Sequence, residues 1–181
     1  VEAPEKYDLE GQEYYFGIGA SREAPTTMGV ELARSVGGSR GESINSVAGT
    51  NDGGFIAGGS FASDEIQVGD YNLNNNGDYD GMIIKYSSEG EVEWTRSIGG
   101  DAYDNISSVA VTNDGGYIVG GSFGSDEIQV GEETLEGNSS YYRYCYDGMI
   151  IKYSEEGEVE WAKSVGGDDN DRINSVASTS D

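Results

Sequence analysis

Two long segments of the chain occur twice, and this internal repeat limits the possible folds more than any other feature. Residues 44–69 return as residues 106–131, at an offset of 62, and residues 80–100 return as residues 147–167, at an offset of 67. The first pair reads INSVAGTNDGGFIAGGSFASDEIQVG and ISSVAVTNDGGYIVGGSFGSDEIQVG, and the second reads DGMIIKYSSEGEVEWTRSIGG and DGMIIKYSEEGEVEWAKSVGG. Repeats of this length predict a modular fold in which each repeat buries its apolar face against the next.

Each complete repeat is predicted to contain four short strands. In the first repeat they span residues 43–50, 55–61, 80–87 and 91–100. The first two are joined by Asn-Asp-Gly-Gly, where glycine supplies the positive φ of a tight turn. The third, DGMIIKYS, is an apolar run typical of a strand that is covered on both faces. We therefore expect an all-β fold of repeated four-stranded antiparallel sheets.

Alternation along the strands predicts which side chains share a face. In the first strand it places Ile44, Ser46 and Ala48 on one face and Val47 on the other. The same rule assigns one face to four residues of the fourth strand: Val92, Trp94, Arg96 and Ile98. The paired glycines at 58–59 weaken a strand, so we expect a neighbouring backbone to approach closely there.

Partial repeats flank the two complete ones. Residues 1–29 comprise a polar N-terminal tail and a degenerate third strand (YFGIGA), and residues 30–38 match the fourth strand. The complete repeats occupy residues 39–100 and 101–167, and residues 168–181 begin a third repeat.

The charge of the chain excludes several classes of partner. It has 34 Asp and Glu against 10 Lys and Arg, a net charge of −24, and no His. Such a surface repels phosphate backbones and anionic membrane faces, so we expect neither a nucleic-acid partner nor membrane insertion. A strongly solvated acidic surface is typical of an extracellular or cell-surface protein. The single cysteine, Cys145, is either free or links two chains.

The motifs of the repeats resemble those of a known family. The string D-G-M-I-I-K-Y-S-x-E-G-E-V-E-W-x-x-S-V-G-G, followed by I-x-S-V-A-x-T-x-D-G-G-Y-I-V-G-G-S-F, is similar to the repeats of bacterial seven-bladed-propeller (SBBP-type) exported proteins. The resemblance covers about residues 30–181. It implies β-propeller-type blades of four antiparallel strands, in a protein displayed on or released from bacterial cells. It implies no catalytic residues, because that family shares no active-site motif.

The number of repeats conflicts with a closed propeller, which needs roughly four to eight blades. Three arrangements answer this conflict: a partial propeller, a ring completed by several chains, and a linear stack of sheets. Because the sequence stops at Asp181, inside a hairpin motif, we expect a piece of a longer array.

Asn76, Asp78 and Asp80 form the strongest candidate metal site. Oxygen ligands at alternate positions, followed by a glycine, are how a short loop wraps Ca²⁺. Two positions count against calcium, since Ile84 and Ser87 stand where such loops carry further acidic ligands. The alternative interpretation is that Asp80 caps the entry to a strand. Calcium is thus the only cofactor that the sequence suggests.

Acidic residues also follow each Gly-Gly pair. We interpret them as solvated turns, or alternatively as loops that a cation bridges between neighbouring repeats. They are Glu42, Asp101, Asp104, Asp168, Asp169 and Asp171.

The connection between the second and third strands differs most between the repeats. In the second repeat it is five residues longer and carries Tyr141, Tyr142, Arg143 and Tyr144, whereas the first carries Tyr71. Tyrosine offers a rigid amphipathic surface that loses little entropy on binding. These five residues are therefore candidates for binding a glycan or protein ligand. The alternative is that the rings pack on adjacent repeats.

Enzyme chemistry is not expected, because the chain has no His and no G-x-S-x-G motif. We expect a non-catalytic exported bacterial repeat protein that acts as a binding or scaffold module. The alternative is a structural role, in which copies of the chain assemble into a ring or filament with cation-bridged loops. A glycan-directed enzyme is the third hypothesis, since two carboxylates about 5–10 Å apart would suffice.

Overall fold

The computed structural model describes residues 32–137 and 145–179, and the regular secondary structure in these residues is entirely β-strand. This confirms the all-β prediction. The strands are β1 Glu42–Gly49, β2 Phe55–Phe61, β3 Glu65–Val68, β4 Tyr71–Asn74, β5 Asp80–Tyr86, β6 Val92–Ile98, β7 Asp104–Val111, β8 Tyr117–Phe123, β9 Glu127–Val130, β10 Glu133–Glu136, β11 Asp147–Tyr153 and β12 Val159–Val165. Within the same residues no helix has the length and apolarity needed to cross a membrane.

Each complete repeat forms one four-stranded antiparallel sheet. The first has the order β1-β2-β5-β6 and the second the order β7-β8-β11-β12. The third strand of the first sheet is buried along all seven residues, as its apolar run predicts. A two-stranded hairpin interrupts each repeat between its second and third strands, β3-β4 in one and β9-β10 in the other. We did not predict these hairpins, because four-residue strands such as EIQV are too short to stand out from a loop.

A bulge corrects the predicted faces of the first strand. The register with β2 shifts between Ile44 and Ser46, so Asn45 is the extra residue. Because a bulge reverses the alternation, Val47 lies on the same face as Ile44 rather than opposite to it. The equivalent shift in β7 places Ile106 and Val109 together, and both contact the first sheet.

A second bulge corrects the prediction for the fourth strand. The register of β5 with β6 shifts so that Tyr86 pairs with Val92, and Lys85 with Trp94. Val92 therefore lies on the opposite face from Trp94 and Ile98, in the core cluster under the β3-β4 hairpin.

The main core lies between the two sheets. Ile83, Trp94 and Ile98 of the first sheet join one cluster with Ile106 and Val109 of the second. Burial of each such side chain contributes about 1.5–3 kcal/mol. This core therefore joins the two repeats into one structure.

Gly58 is the position that allows β7 to approach the first sheet. A Cβ built there would lie 2.7 Å from both Ile106 Cγ2 and Val109 Cγ1, so only glycine fits. Close approach was predicted, but at Gly58 the neighbour is a pair of side chains rather than backbone. At Gly59 it is the backbone carbonyl of Ser43, within the same sheet.

The partial repeats make the same contacts at the ends of the described structure. Ile173 and Val176 lie against Gly120 as Ile106 and Val109 lie against Gly58. At the other end Leu32 lies against Gly90, the counterpart of the contact between Trp94 and Gly157. The interface between repeats thus occurs once in full and twice in part.

Candidate functional site

Lys85 is the most deeply buried cation of the described residues. Its side chain is 1% exposed, and its Nζ lies 2.7 Å from both Asp52 Oδ2 and Glu93 Oε2. It also donates to the carbonyl of Tyr86 at 3.1 Å. Burial opposes the charge, but the two carboxylates outweigh it and raise the pKa of Lys85. The same contact with Lys85 holds the pKa of Asp52 well below its usual range.

The second repeat carries the same ion cluster. Lys152 Nζ lies 3.1 Å from Asp114 Oδ2 and 3.3 Å from Glu160 Oε2, and it donates to the carbonyl of Tyr153. Asp114 has a pKa of about 2, lowered by hydrogen bonds from Thr112 and Lys152. Each lysine ties the β-hairpin turn to the fourth strand, so the cluster is structural in both repeats. A catalytic group is more often unique to one site.

Two buried carboxylates meet at the boundary between the repeats. Asp80 begins β5 and Asp104 begins β7, and both side chains are 0% exposed. Asp104 accepts hydrogen bonds from Gly100 N at 2.8 Å and Ser125 Oγ at 2.9 Å. Asp80 Oδ2 accepts from Asn76, whereas its Oδ1 has no hydrogen-bond partner. Burial, with the charge of Asp104 added, raises the pKa of Asp80 to about 6.

The residues predicted as calcium ligands are divided between interior and surface. Asp80 is buried, while Asp78 is exposed and its backbone N–H donates to the carbonyl of Ala102 at 3.3 Å. Asn76 donates both its backbone and its side-chain N–H to Asp80, each at 3.1 Å. The described residues contain no group of three or more His, Cys, Asp or Glu that could hold a metal ion. The arrangement agrees with the alternative interpretation, in which Asp80 caps the start of a strand. Calcium binding stays a prediction.

A row of tyrosines crosses the boundary between the repeats at the edge where Asp80 lies. The Tyr79 and Tyr103 ring centroids are 5.0 Å apart, and those of Tyr103 and Tyr146 are 5.9 Å apart. The Arg172 guanidinium lies 4.5 Å from the centroid of the Tyr146 ring. Each ring is half-buried, so part of each stays in contact with solvent. We call Tyr79, Tyr103 and Tyr146 the tyrosine row.

Backbone hydrogen bonds hold the tyrosine row in place. The N–H of Asp104 donates to the carbonyl of Tyr79, and the N–H of Asp171 donates to the carbonyl of Tyr146, each at 2.7 Å. The N–H of Gly124 donates to the carbonyl of Tyr103 at 3.0 Å. Rings fixed on strand ends lose little entropy when a ligand stacks on them.

Four of the five predicted ligand-binding residues, Tyr141, Tyr142, Arg143 and Tyr144, lie outside the described residues. Tyr146, two residues further along the same connection, is the last member of the tyrosine row. The fifth predicted residue, Tyr71, is 39% exposed, and its hydroxyl donates to the carbonyl of Glu93 at 2.5 Å.

Searches for relatives add no assignment. The chain matches no protein-family model and no curated protein. The resemblance to propeller repeats therefore rests on the residues themselves.

Sequence reasoning did not identify Lys85, or the pairing of Asp80 with Asp104. A signal for the first was present, because a lysine buried inside the apolar run MIIKY needs carboxylates as partners. The second depends on which strands meet across repeats, and that follows only from the stacking of the sheets.

Proposed function

We propose that this chain is a non-catalytic repeat scaffold that carries a ligand-binding surface. Its repeats would be propeller-type blades, and a bacterium would export it to the cell surface or the medium. The observation that carries the proposal is the recurrence of one interface along the chain. The contact of Val109 and Ile106 with Gly58 returns as the contact of residues 173–176 with Gly120.

Recurring polar contacts support the same conclusion. The N–H of Val109 donates to Ser46 Oγ, and the N–H of Val176 donates to Ser108 Oγ, both at 3.1 Å. Because the same contacts recur at each boundary, further repeats can be stacked one after another, as in repeat scaffolds.

The buried charged groups also favour a structural role over catalysis. Lys85 and Lys152 are saturated by carboxylates of their own repeats. Asp80 and Asp104 come together as a glycosidase pair would, but neither has exposed surface through which a sugar could reach it. These groups therefore do not favour the glycan-directed enzyme.

The blade assignment is supported by the sheets themselves. Each repeat is an antiparallel sheet whose four strands follow one another in chain order, apart from the inserted hairpin. That is the strand order of a propeller blade.

The tyrosine row is the surface best suited to a ligand. Its rings are half-buried, and exposed carboxylates, Asp78 and Asp101, lie one and two residues from Tyr79 and Tyr103 in the sequence and can accept hydrogen bonds from hydroxyl groups. Aromatic rings flanked by acceptors suit a sugar, and a net charge of −24 disfavours an anionic one. We therefore propose a neutral glycan as the ligand, bound by the tyrosine row together with Tyr141, Tyr142, Arg143 and Tyr144.

Native electrophoresis through gels that contain a soluble neutral β-glucan, xylan or mannan tests this proposal. The acidic chain migrates quickly, and at least one polysaccharide should retard it. Tyr103→Ala should abolish the retardation, whereas Trp161→Ala, which removes an exposed aromatic ring elsewhere, should keep it. A double variant, Tyr142→Ala with Tyr144→Ala, measures how much the longer connection of the second repeat contributes to glycan binding. If none of the polysaccharides slows the migration of the chain, the glycan proposal is contradicted. That is the result expected of a protein that binds only another protein.

A further inference from the structure

We propose that a cavity between the two complete repeats binds the terminal residue of a neutral sugar chain, at a site separate from the tyrosine row. The cavity has a volume of about 110 Å³ and lies where β6 of the first repeat meets the β9-β10 hairpin and the β11-β12 turn of the second. We call it the boundary cavity, and the lining residues that carry the argument are Arg96, Ile98, Val130, Tyr153, Glu158 and Val159. The inference rests on the proposed function, since it concerns the same class of ligand.

Tyr153 lines the boundary cavity with a hydroxyl group that lacks a partner. The residue is 1% exposed, and its ring centroid lies 6.3 Å from that of Trp94. Its hydroxyl forms no hydrogen bond with any residue that the structure describes. Burial raises the pKa of Tyr153, so the hydroxyl stays protonated and can donate. Buried tyrosine hydroxyls usually have a hydrogen-bond partner, and a ligand in the cavity would supply one.

Arg96 brings firmly held donors to the same cavity. Its guanidinium carbon lies 5.4 Å from the centroid of the Trp94 ring, and its Nη1 donates to the carbonyl of Thr95 at 2.9 Å. Its Nη2 donates to Glu158 Oε1 at 3.3 Å, and the side chain of Glu158 is 80% exposed. A guanidinium has five N–H donors, and an ion pair this exposed contributes little stability. A ligand hydroxyl can therefore share or replace the contact between Arg96 and Glu158.

The preceding boundary shows what distinguishes Arg96 from its counterpart, Arg34. Each arginine pairs with a glutamate of the following repeat, at 3.4 Å for Arg34 and 3.3 Å for Arg96. Arg34 also donates from Nε to the carbonyl of Gly90 at 2.8 Å and from Nη2 to the carbonyl of Glu89 at 3.2 Å. Among the described residues Arg96 makes no such bonds to the β11-β12 turn. The donors of Arg34 are thus engaged by a turn, whereas Arg96 keeps donors for a ligand.

The size of the boundary cavity limits how much of a ligand can enter. An engineered cavity of about 150 Å³ holds one benzene molecule, so about 110 Å³ holds less than a whole six-membered ring. Part of the lining is apolar, since Ile98 and Val130 are each 2% exposed and Val159 is half-buried. Such a wall suits the C–H groups of a sugar ring. The cavity therefore takes one edge of a terminal sugar, and the rest of the chain extends outside.

The charges around the boundary cavity favour an uncharged ligand. Arg96 and Glu158 bring opposite charges to within 3.3 Å of each other. Two neighbouring sugar hydroxyls can use both groups, because one accepts from the guanidinium and the other donates to the carboxylate. A carboxylate ligand would face Glu158 and the net charge of −24, and an ammonium ligand would face Arg96.

The boundary cavity and the tyrosine row lie at opposite ends of the strands. Tyr153 is the last residue of β11, whereas Tyr146 immediately precedes its first residue. Seven residues of extended strand separate the two tyrosines by roughly 20 Å. A single sugar can therefore occupy the cavity without touching the tyrosine row, so the two sites can be tested apart.

Titration of the full chain with D-glucose, D-xylose and D-mannose tests the boundary cavity. In a Trp161→Phe background the emission of Trp94 reports any movement of the Arg96 guanidinium over its ring. Calorimetry measures the Kd independently, with sugar up to about 50 mM to saturate a millimolar site. At least one sugar should bind, and its β-1,4-linked disaccharide should bind with similar affinity, because only the terminal ring enters.

Two variants remove the proposed contacts. Tyr153→Phe keeps the ring and loses the hydroxyl, and it should weaken binding about three- to ten-fold. Arg96→Gln loses the charged donor and should weaken binding about ten-fold or more. Tyr117→Phe changes another tyrosine that is 1% exposed, and Arg34→Gln makes the same charge change at the preceding boundary. Both controls should bind sugar as the wild type does, and circular dichroism checks that every variant folds.

Failure of this inference and failure of the tyrosine-row proposal give different results. If none of the three sugars binds, the boundary cavity is not a sugar site, whatever the polysaccharide gels show. The same holds if binding survives Tyr153→Phe and Arg96→Gln but is lost in Tyr103→Ala, because the sugar then lies on the tyrosine row. Glucuronate binding more tightly than the neutral sugars would overturn the choice of an uncharged ligand. Sugar binding that depends on Tyr153 supports the cavity even where no polysaccharide retards the chain.

Discussion

Asp80 and Asp104 come from different repeats, and both point at Gly99, where any side chain would overlap their carboxylate oxygens. Both pKa values are raised by burial, that of Asp80 to about 6. The strand ends that join the two repeats therefore include a carboxyl group that is neutral in mild acid.

This pair predicts a pH dependence of stability with a definite sign. An acid whose pKa is higher in the folded state is protonated more readily there, so it stabilises the fold below about pH 4. That contribution is lost as the pH rises to about 6, and it does not change further above that value. At pH 7.5 the ionised Asp80 should cost on the order of 3 kcal/mol.

Asp80→Asn should remove this penalty, since the amide resembles the protonated acid. We expect a higher free energy of unfolding in urea at pH 7.5 and little change at pH 4. Asp78→Asn makes the same charge change on an exposed neighbour and serves as the control. A variant that is no more stable than wild type at pH 7.5 would mean that Asp80 ionises there without penalty.

Glu93→Gln should weaken the Lys85 cluster. The variant loses one of the two carboxylates that face a buried ammonium group, so we expect a loss of about 1.5–3 kcal/mol in urea unfolding. Glu158→Gln breaks the Arg96–Glu158 pair, in which the glutamate is 80% exposed, and should cost less than about 1 kcal/mol. Equal losses in the two variants would argue that Lys85 is solvated rather than buried.

Gly58→Ala should disrupt the packing of the sheets. The added methyl would overlap the Ile106 and Val109 side chains, and overpacking of a core costs about 1–3 kcal/mol. Gly49→Ala is the matched control, because a Cβ at Gly49 meets nothing within 4 Å. We expect the control to be as stable as the wild type or slightly more so. Thermal unfolding of both variants measures the difference.

The sheets were predictable from the sequence because the repeat displays every strand twice. β2 was predicted with its observed bounds, and the full burial of β5 followed from its unbroken apolar run. The face assignments of Val47 and Val92 were wrong because each strand contains a bulge. A bulge shifts the phase of the alternation, so that Ile44 and Val47, three positions apart, share a face, and strict period-two reasoning assigns the residues beyond it to the wrong side.

The candidate site was less predictable, since it depends on contacts between repeats. Asp104 follows a Gly-Gly pair and was interpreted as part of an acidic turn, whereas Tyr103 beside it was not singled out. Only the stacking of the sheets brings them to Tyr79 and Asp80 of the preceding repeat. Short-range sequence patterns report neighbours along a strand, whereas this site joins residues about 24 positions apart across two sheets.

Acrylamide quenching of single-tryptophan variants tests the stacking of the repeats most directly. Trp161→Phe leaves Trp94, buried between the sheets, and Trp94→Phe leaves Trp161, which is exposed on the second sheet. In dilute protein we predict that Trp161, 38% exposed, is quenched several-fold more strongly than Trp94, 7% exposed. Equal quenching of the two tryptophans in dilute protein would contradict the account, because the second repeat would then not cover the first.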